Sequence, residues 1–315
     1  MYQKHYSPEG ALLDTPENQA AIASPQGLTQ AQLVGRTLEA RVTMCDSNHN
    51  MWVQFPCMKG MIPREEGAVG IAEGELRDIA LIARVGKPVC FKVQRIEKGE
   101  NGEDLAILSR RAVQEECMEE FLSRLLPGDI IDAKVTHLEP FGAFVDIGCG
   151  IASMVPIDAI SVSRIAHPAD RFVVGQNIRV IIKAMQGKRV LLSHKELLGT
   201  WEENAAQFHV GETTCGIVRS VEKYGVFIEL MPNLAGLAEL RQPVEVGQRV
   251  SVYIKALIPE KLKVKLILVD VCEGSVSPEP LRYFYQGDHI DHWVYTPLGA
   301  GKYIDTVFDG KLAEI

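Results

Sequence analysis

The stretch LLPGDIIDAKVTHLEPFGAFVDIG (residues 125–148) decides the reading of the fold. Gly128 precedes an alternating apolar run that ends near Leu138, and Pro140, Phe141 and Gly142 then turn the chain into a second alternating run over 143–147. Gly148 and Gly150 permit another tight turn, after which Met154 and Val155 begin a third strand. The mostly polar stretch IDAISVSRIAHPADRF (157–172) has room for one short helix, and VGQNIRVIIKAM (174–185) and RVLLS (189–193), separated by a turn at 186–188, supply two more strands. Five short strands with a helix after the third predict a closed Greek-key barrel of the oligonucleotide-binding kind.

The same order of signals returns twice. In VGETTCGIVRSVEKYGVFIEL (210–230), Gly211 stands for Gly128, and Tyr224, Gly225 and Phe227 stand for Phe141, Gly142 and Phe144; VGQRVSVYIKAL (246–257) then repeats 174–185 almost word for word. The segment between its third and fourth strands is shorter, so a full helix is not expected there. A weaker copy starts at Leu33 and runs through ARVTM (40–44), NMWVQF (50–55), GMIP (60–63), VGKPVCFKVQRI (85–96) and LAILS (105–109). Its hairpin carries Asn48, His49 and Asn50 in place of the Phe-Gly turn, with Trp52 in the later aromatic position. The predicted fold class is therefore mainly β: three tandem five-stranded barrels over 33–112, 126–201 and 202–271.

The connectors AVQEECMEEFLSR (112–124, with the linker proper at 113–125) and HKELLGTWEENAAQF (194–208) are rich in helix formers, and Val113, Cys117, Phe121 and Leu125 recur at helical spacing. Residues 1–32 have little periodicity and read as a disordered tail. The segment 272–315 contains YFYQGDHIDHWVY (283–295), too apolar for a free tail, and is expected to dock on a barrel or a partner.

The chain of 315 residues carries a formal net charge of -8, which argues against a partner held by charge alone. The barrels themselves are near neutral: 12 basic against 11 acidic groups in 33–112, 8 against 7 in 126–200 and 8 against 9 in 201–271. Nucleic-acid binding would thus lean on base stacking helped by selected basic side chains. The seven cysteines are odd in number and form no CxxC pair, which points to reduced thiols and away from a zinc cluster. No apolar run approaches a membrane span and the start lacks a signal-like core, so a cytoplasmic protein without a membrane partner is expected. Asp288, His289, Asp291 and His292 suggest a metal site, but no third ligand is evident and aromatics surround them; no cofactor and no catalytic residue are expected.

PFGAFVDIG, MVPI, the strand at 174–185 and GKRVLLSHKELLGTW stand in the order and spacing of the S1 RNA-binding motif, the repeat of a large RNA-binding protein of the bacterial small ribosomal subunit. Residues 126–201 resemble it best, 208–271 moderately, and 33–112 resemble its divergent first repeats. In that family two hairpin aromatics, a third-strand His, and an Asp and Arg around the last turn form the RNA surface. The resemblance assigns Phe141, Phe144 and Arg189 to it in the second barrel, with Pro156 in place of the His and Met185 in place of the Asp. In the third barrel Tyr224 and Phe227 keep the aromatics, Lys263 falls near the Arg position and Glu239 at the His position, implying weaker binding. The first offers only Trp52 and Phe55, and protein docking is its alternative role.

An aromatic ring covers the π-face of an unpaired base for roughly 1–3 kcal/mol, whatever the sequence. Phe144 and Phe227 fit a strand core as well as a binding face, whereas Phe141 and Tyr224 sit in turns. Lys188, Arg189 and Lys195 lie around the fifth strand, where they would meet phosphates, although alone they read as solvated surface. The implied function is single-stranded RNA (mRNA) binding near the translation apparatus and the ribosome. A protein-docking regulator that has kept the barrels, and an accessory RNA-processing factor, are the alternatives. The first is favoured by the lost His and Asp positions, and the second lacks room for a large catalytic domain.

Overall fold

The structure is a computed structural model that describes residues 6–99, 102–186, 189–240, 242–272 and 280–308. The chain forms two compact units, Met1–Leu125 with Asp146–Ala152, and Leu126–Val145 with Ser153–Ile315. Three closed five-stranded barrels run along it.

In the first unit, β1 (Leu38–Cys45), β2 (Met51–Gln54), β3 (Lys59–Ile62), β4 (Pro88–Lys98) and β5 (Asp104–Ser109) close in the order β1-β2-β3-β5-β4, with β3 and β5 parallel. Odd-numbered residues of β2 and just beyond it point inward, so Met51, Val53 and Phe55 join Leu38, Val42 and Phe91 in one core.

Residues 15–33 depart from the expected disorder. Two helices, α1 (Pro16–Ile22) and α2 (Pro25–Leu33), begin at Thr15 and Ser24, whose hydroxyls accept backbone N–H groups, with proline in each first turn. Ile22, Leu28 and Ala31 enter the barrel's core, and the Asn18 amide exchanges hydrogen bonds with the backbone of Glu39 on β1 (2.9 and 3.0 Å). With Ala21 these make four apolar residues, too few to register as a pattern, but they suffice once the barrel offers them a surface. The unit is completed by α3 (Ile79–Ile82) and α4 (Arg111–Glu120), the latter in the predicted connector and burying Val113 and Cys117.

The second unit holds two barrels. β6 (Ile130–Glu139), β7 (Gly142–Asp146), β8 (Ala152–Pro156), β9 (Asn177–Gln186) and β10 (Arg189–Ser193) close in the order β10-β8-β7-β6-β9. In place of the single helix expected over 157–172 there are two 3-10 turns, Ile157–Ala159 and Pro168–Asp170. After α5 (Trp201–Ala205), capped by Thr200 and Glu203, come β11 (Thr213–Glu222), β12 (Gly225–Met231), β13 (Leu234–Ala238), β14 (Arg249–Ile258) and β15 (Lys263–Val271), closed in the order β11-β12-β13-β15-β14.

These two barrels are joined by a buried ion network. The Glu229 carboxylate accepts from Arg171 Nη1 and Nη2 (2.8 and 2.9 Å) and from Arg219 Nε and Nη2 (3.0 and 3.2 Å), while Arg219 also meets Asp170 at 3.2 Å. Burial opposes the Glu229 charge, but the bonds from Arg171 and then Arg219 hold its carboxyl below the ordinary range. The aromatic C-terminal segment docks within the same unit. Ile130 N–H donates to Asp288 O and Ile290 N–H to Gly128 O (both 2.9 Å), and a short hairpin of β16 (His292–Val294) and β17 (Asp305–Val307) follows. Ile290, Trp293, Tyr295 and Phe308 share a core with Trp201, Val218 and Ile228.

Candidate nucleic-acid interface

Strand register fixes which residues correspond across the barrels. The parallel pairs are Met61 with Ile107, Met154 with Leu191, and Leu237 with Lys265, so these three pairs are equivalent. Trp52 pairs with Met61 and Phe227 with Leu237 across the neighbouring hairpins. Thr43 Oγ1 donates to Trp52 O at 3.0 Å, and Thr136 Oγ1 makes the same bond to Phe144 O at 3.2 Å. Trp52, Phe144 and Phe227 therefore occupy one position of the fold.

In the second barrel Phe141 is 56% exposed in the turn before β7, and its ring meets Phe144 edge-on at 6.0 Å and 85°. Ile157 N–H donates to Phe141 O (3.0 Å), which holds the turn against the end of β8. Gly142 is required there because a Cβ would come within 2.7 Å of Val155 O. The third barrel repeats the arrangement: Tyr224 is 70% exposed, its ring stands at 6.2 Å and 89° to Phe227, and a Cβ on Gly225 would meet Ala238 O at 2.6 Å. In both barrels the turn ring is open to solvent and the strand ring is half-buried beneath it.

The surroundings of the two ring pairs differ. In the second barrel the row through Phe144 continues in Met154 and Leu191 and is apolar. Arg189 begins β10 two residues before Leu191, on the same alternate face, and is exposed. Lys188 lies outside the described residues, and Lys195 is half-buried in a 3-10 turn beyond the strand, its carbonyl accepting from Asn233 Nδ2 at 2.8 Å. His137, which sequence reasoning missed, stands 6.2 Å from the Phe144 ring and bonds Glu139 through Nε2 (2.6 Å).

In the third barrel a groove of about 590 Å³ is lined by Tyr224, Phe227, Glu239, Lys255, Lys263 and Lys265. Lys263 sits two residues before Lys265, as Arg189 does before Leu191, which places it at the Arg189 position. Lys255 and Lys265 were also missed. Lys265 shares the alternate face of Lys263, and Lys255 falls where Lys183 stands in the repeated strand, so the pattern held the signal.

The first barrel has a single ring on this face. Trp52 is half-buried and donates Nε1–H to Asp46 Oδ2 (2.9 Å), and Asp46 also closes the 46–50 turn by accepting from the Asn48 and Asn50 backbone (both 2.9 Å). Phe55 is not part of the face: it is 1% exposed and packs on Phe91 with ring centres 5.7 Å apart. Its parity along β2 is opposite to that of Trp52, and alternation turns it inward.

The His and Asp residues of the C-terminal segment are split between partners. His289 bonds Asp129 (2.6 Å) and Asp291 (3.1 Å), while His292 bonds Asp305 (2.8 Å). Among the described residues no group of three His, Cys, Asp or Glu side chains is arranged to hold a metal ion, and no helix is long and apolar enough to cross a membrane.

Comparison with known proteins agrees with the barrel geometry. Residues 125–195 match the family model described as the S1 RNA binding domain. The small ribosomal subunit protein bS1 of Staphylococcus aureus (strain COL) is 33% identical over 199 residues, covering 58% of this chain and 50% of its own length. The bS1 homolog of Bacillus cereus (strain ATCC 10987 / NRS 248) is 30% identical over 204 residues, covering 61% of this chain and 51% of its own. The chain spans about half the length of the curated relatives it matches. A crystal structure of a multidomain protein with nucleic acid binding domains from Streptococcus pneumoniae TIGR4 aligns over 74% of this chain and 73% of that one, at 13% identity and a TM-score of 0.25, an overlap too low to add to the argument. Residues 125–195 thus match the S1 RNA-binding domain, and the chain is similar to small ribosomal subunit protein bS1 over 58% of its length.

Proposed function

We propose that this chain binds single-stranded RNA by stacking bases on the ring pairs of its second and third barrels, and that it does so in association with translation. The observation that carries the reading is the repetition of one device in two barrels: an exposed turn aromatic set edge-on above a half-buried strand aromatic at the same register. A solvent-exposed ring held in this way costs the fold apolar exposure, and base stacking is the use that returns it. Duplex bases already stack on one another, so the same rings favour unpaired strands. The relatives' names, small ribosomal subunit protein bS1, support the link to translation.

The two barrels divide the work. The second, with an apolar row and Arg189 at its edge, binds chiefly by stacking, while the third adds phosphate attraction through Lys255, Lys263 and Lys265. The first barrel offers one strand ring on this face, Trp52, whose N–H bonds Asp46, and so adds the weakest stacking of the three. A fluorescence titration of labelled single-stranded RNA and of a duplex of equal length tests the reading. The single strand is expected to bind at least about tenfold tighter, since two stacked bases contribute roughly 1–3 kcal/mol each. Equal affinities would remove stacking as the mechanism.

A further inference from the structure

One row of side chains crosses each barrel through its strand ring, and the far end of that row differs among the three. In the first barrel the register runs through Ile107, Met61, Trp52 and Met44, and in the third through Lys265, Leu237, Phe227 and Ser220. In the second the row is Leu191, Met154, Phe144 and, on β6, His137, whose ring stands beside that of Phe144. Thr43 and Thr136, which make matching bonds to Trp52 O and Phe144 O, fix the equivalence from one residue earlier. The position across from the strand ring is thus held by Met44, His137 and Ser220, and of the three barrels only the second sets a ring there.

Three features leave this imidazole available to a base. The His137 side chain is 64% exposed. Its ring centre lies 6.2 Å from that of Phe144 with 35° between the planes, so the two rings cover little of each other's faces. Its Nε2 stands 2.6 Å from Glu139 Oε1; a carboxylate only accepts, so the imidazole donates, and the bond occupies the ring's edge and not its face. A ring restrained in this way before binding loses less conformational freedom when a base settles on it. We infer that His137 is a third base-contacting ring of the second barrel, an inference that rests on the RNA-binding reading above. It lies on the side of β7 away from β8, so Phe144 and the imidazole form a stacking floor two rings wide. The third barrel, with Ser220 at this position, has a floor one ring wide.

The test uses the full chain, labelled heptauridylate and three variants. His137→Ala should weaken binding at least about fivefold, the lower end for one stacked base, and leave the urea midpoint in place, as changes at exposed positions do. His137→Phe, which keeps a ring and gives up both nitrogens, should bind as tightly as the parent. Ser220→His should tighten binding, because it supplies the third barrel with the missing ring, and Glu222 stands two residues on as Glu139 does from His137. A parent chain that does not bind heptauridylate would refute the RNA reading itself. If the parent binds, an unchanged affinity in His137→Ala, a loss that comes with a lowered midpoint, a His137→Phe chain as weak as His137→Ala, or no gain in Ser220→His would each overturn the inference while leaving that reading intact.

Discussion

Truncating Phe141 to alanine separates a binding ring from a structural one. With 56% of the residue exposed, just under half of its surface is out of water. For an aromatic side chain of about 200 Å² this is about 90 Å², or about 2 kcal/mol at about 25 cal/mol per Å². That figure is an upper limit, because the alanine methyl keeps some of the contact and the unfolded chain already buries part of the ring. A stability loss of about 1 kcal/mol is therefore expected from urea melts, with part of it in the lost edge-on contact with Phe144. RNA affinity should fall by roughly 1–3 kcal/mol, about five- to 150-fold, because the ring is the outer face of the stack. The same truncation at Phe55, which is 1% exposed, should cost about 3–5 kcal/mol of stability, which calibrates the melt. A folded Phe141→Ala protein that binds single-stranded RNA as tightly as the parent would refute the assignment of Phe141, and with it the argument from the repeated ring pair.

Three other changes test the neighbouring parts. Replacing Lys255, Lys263 and Lys265 together by Gln should make the slope of log K against log salt shallower by roughly 2, at about 0.7 per phosphate on a single strand; an unchanged slope would mean that these lysines do not face the RNA. Arg189→Ala should weaken binding by roughly 0.5–1.5 kcal/mol without moving the melt, as loss of an exposed hydrogen-bonding group does; a lowered melting temperature would assign Arg189 a structural role. His194 is fully buried, and burial pushes its pKa down from 6.5 to about 4. Because the folded value lies below the unfolded one, its contribution is complete above pH 6.5 and is lost as pH falls toward 4, on the order of 3 kcal/mol in all. Urea midpoints of the parent and His194→Gln at several pH values should converge on acidification, and parallel profiles would exclude His194 as the source.

The sequence alone determined the strands, their grouping into three barrels and the likeness of 126–201 to the S1 motif, because each rests on local chemistry. Alternation, the glycines at the tight turns and the repeated 174–185 strand are written in consecutive residues. The exposed turn aromatics Phe141 and Tyr224 were legible for the same reason, since a ring in a turn has little choice but to face outward. What alternation left open at Phe55 was parity: its place three residues from Trp52 put it on the opposite face, but only the closed barrel established which face was the core. The N-terminal helices were invisible because Ile22, Leu28 and Ala31 form a pattern only against the floor they cover. Strand pairing brought Lys255 and Lys265 beside Tyr224, thirty or more positions away, and gave Glu239 its place next to the rings. The docking of 283–308 and the Arg171–Glu229–Arg219 network were decided by tertiary structure in the same way. A sequence fixes which side chains alternate and where the chain turns, but which of them meet depends on the closure of each barrel, a property of hydrogen bonds between strands far apart in the chain.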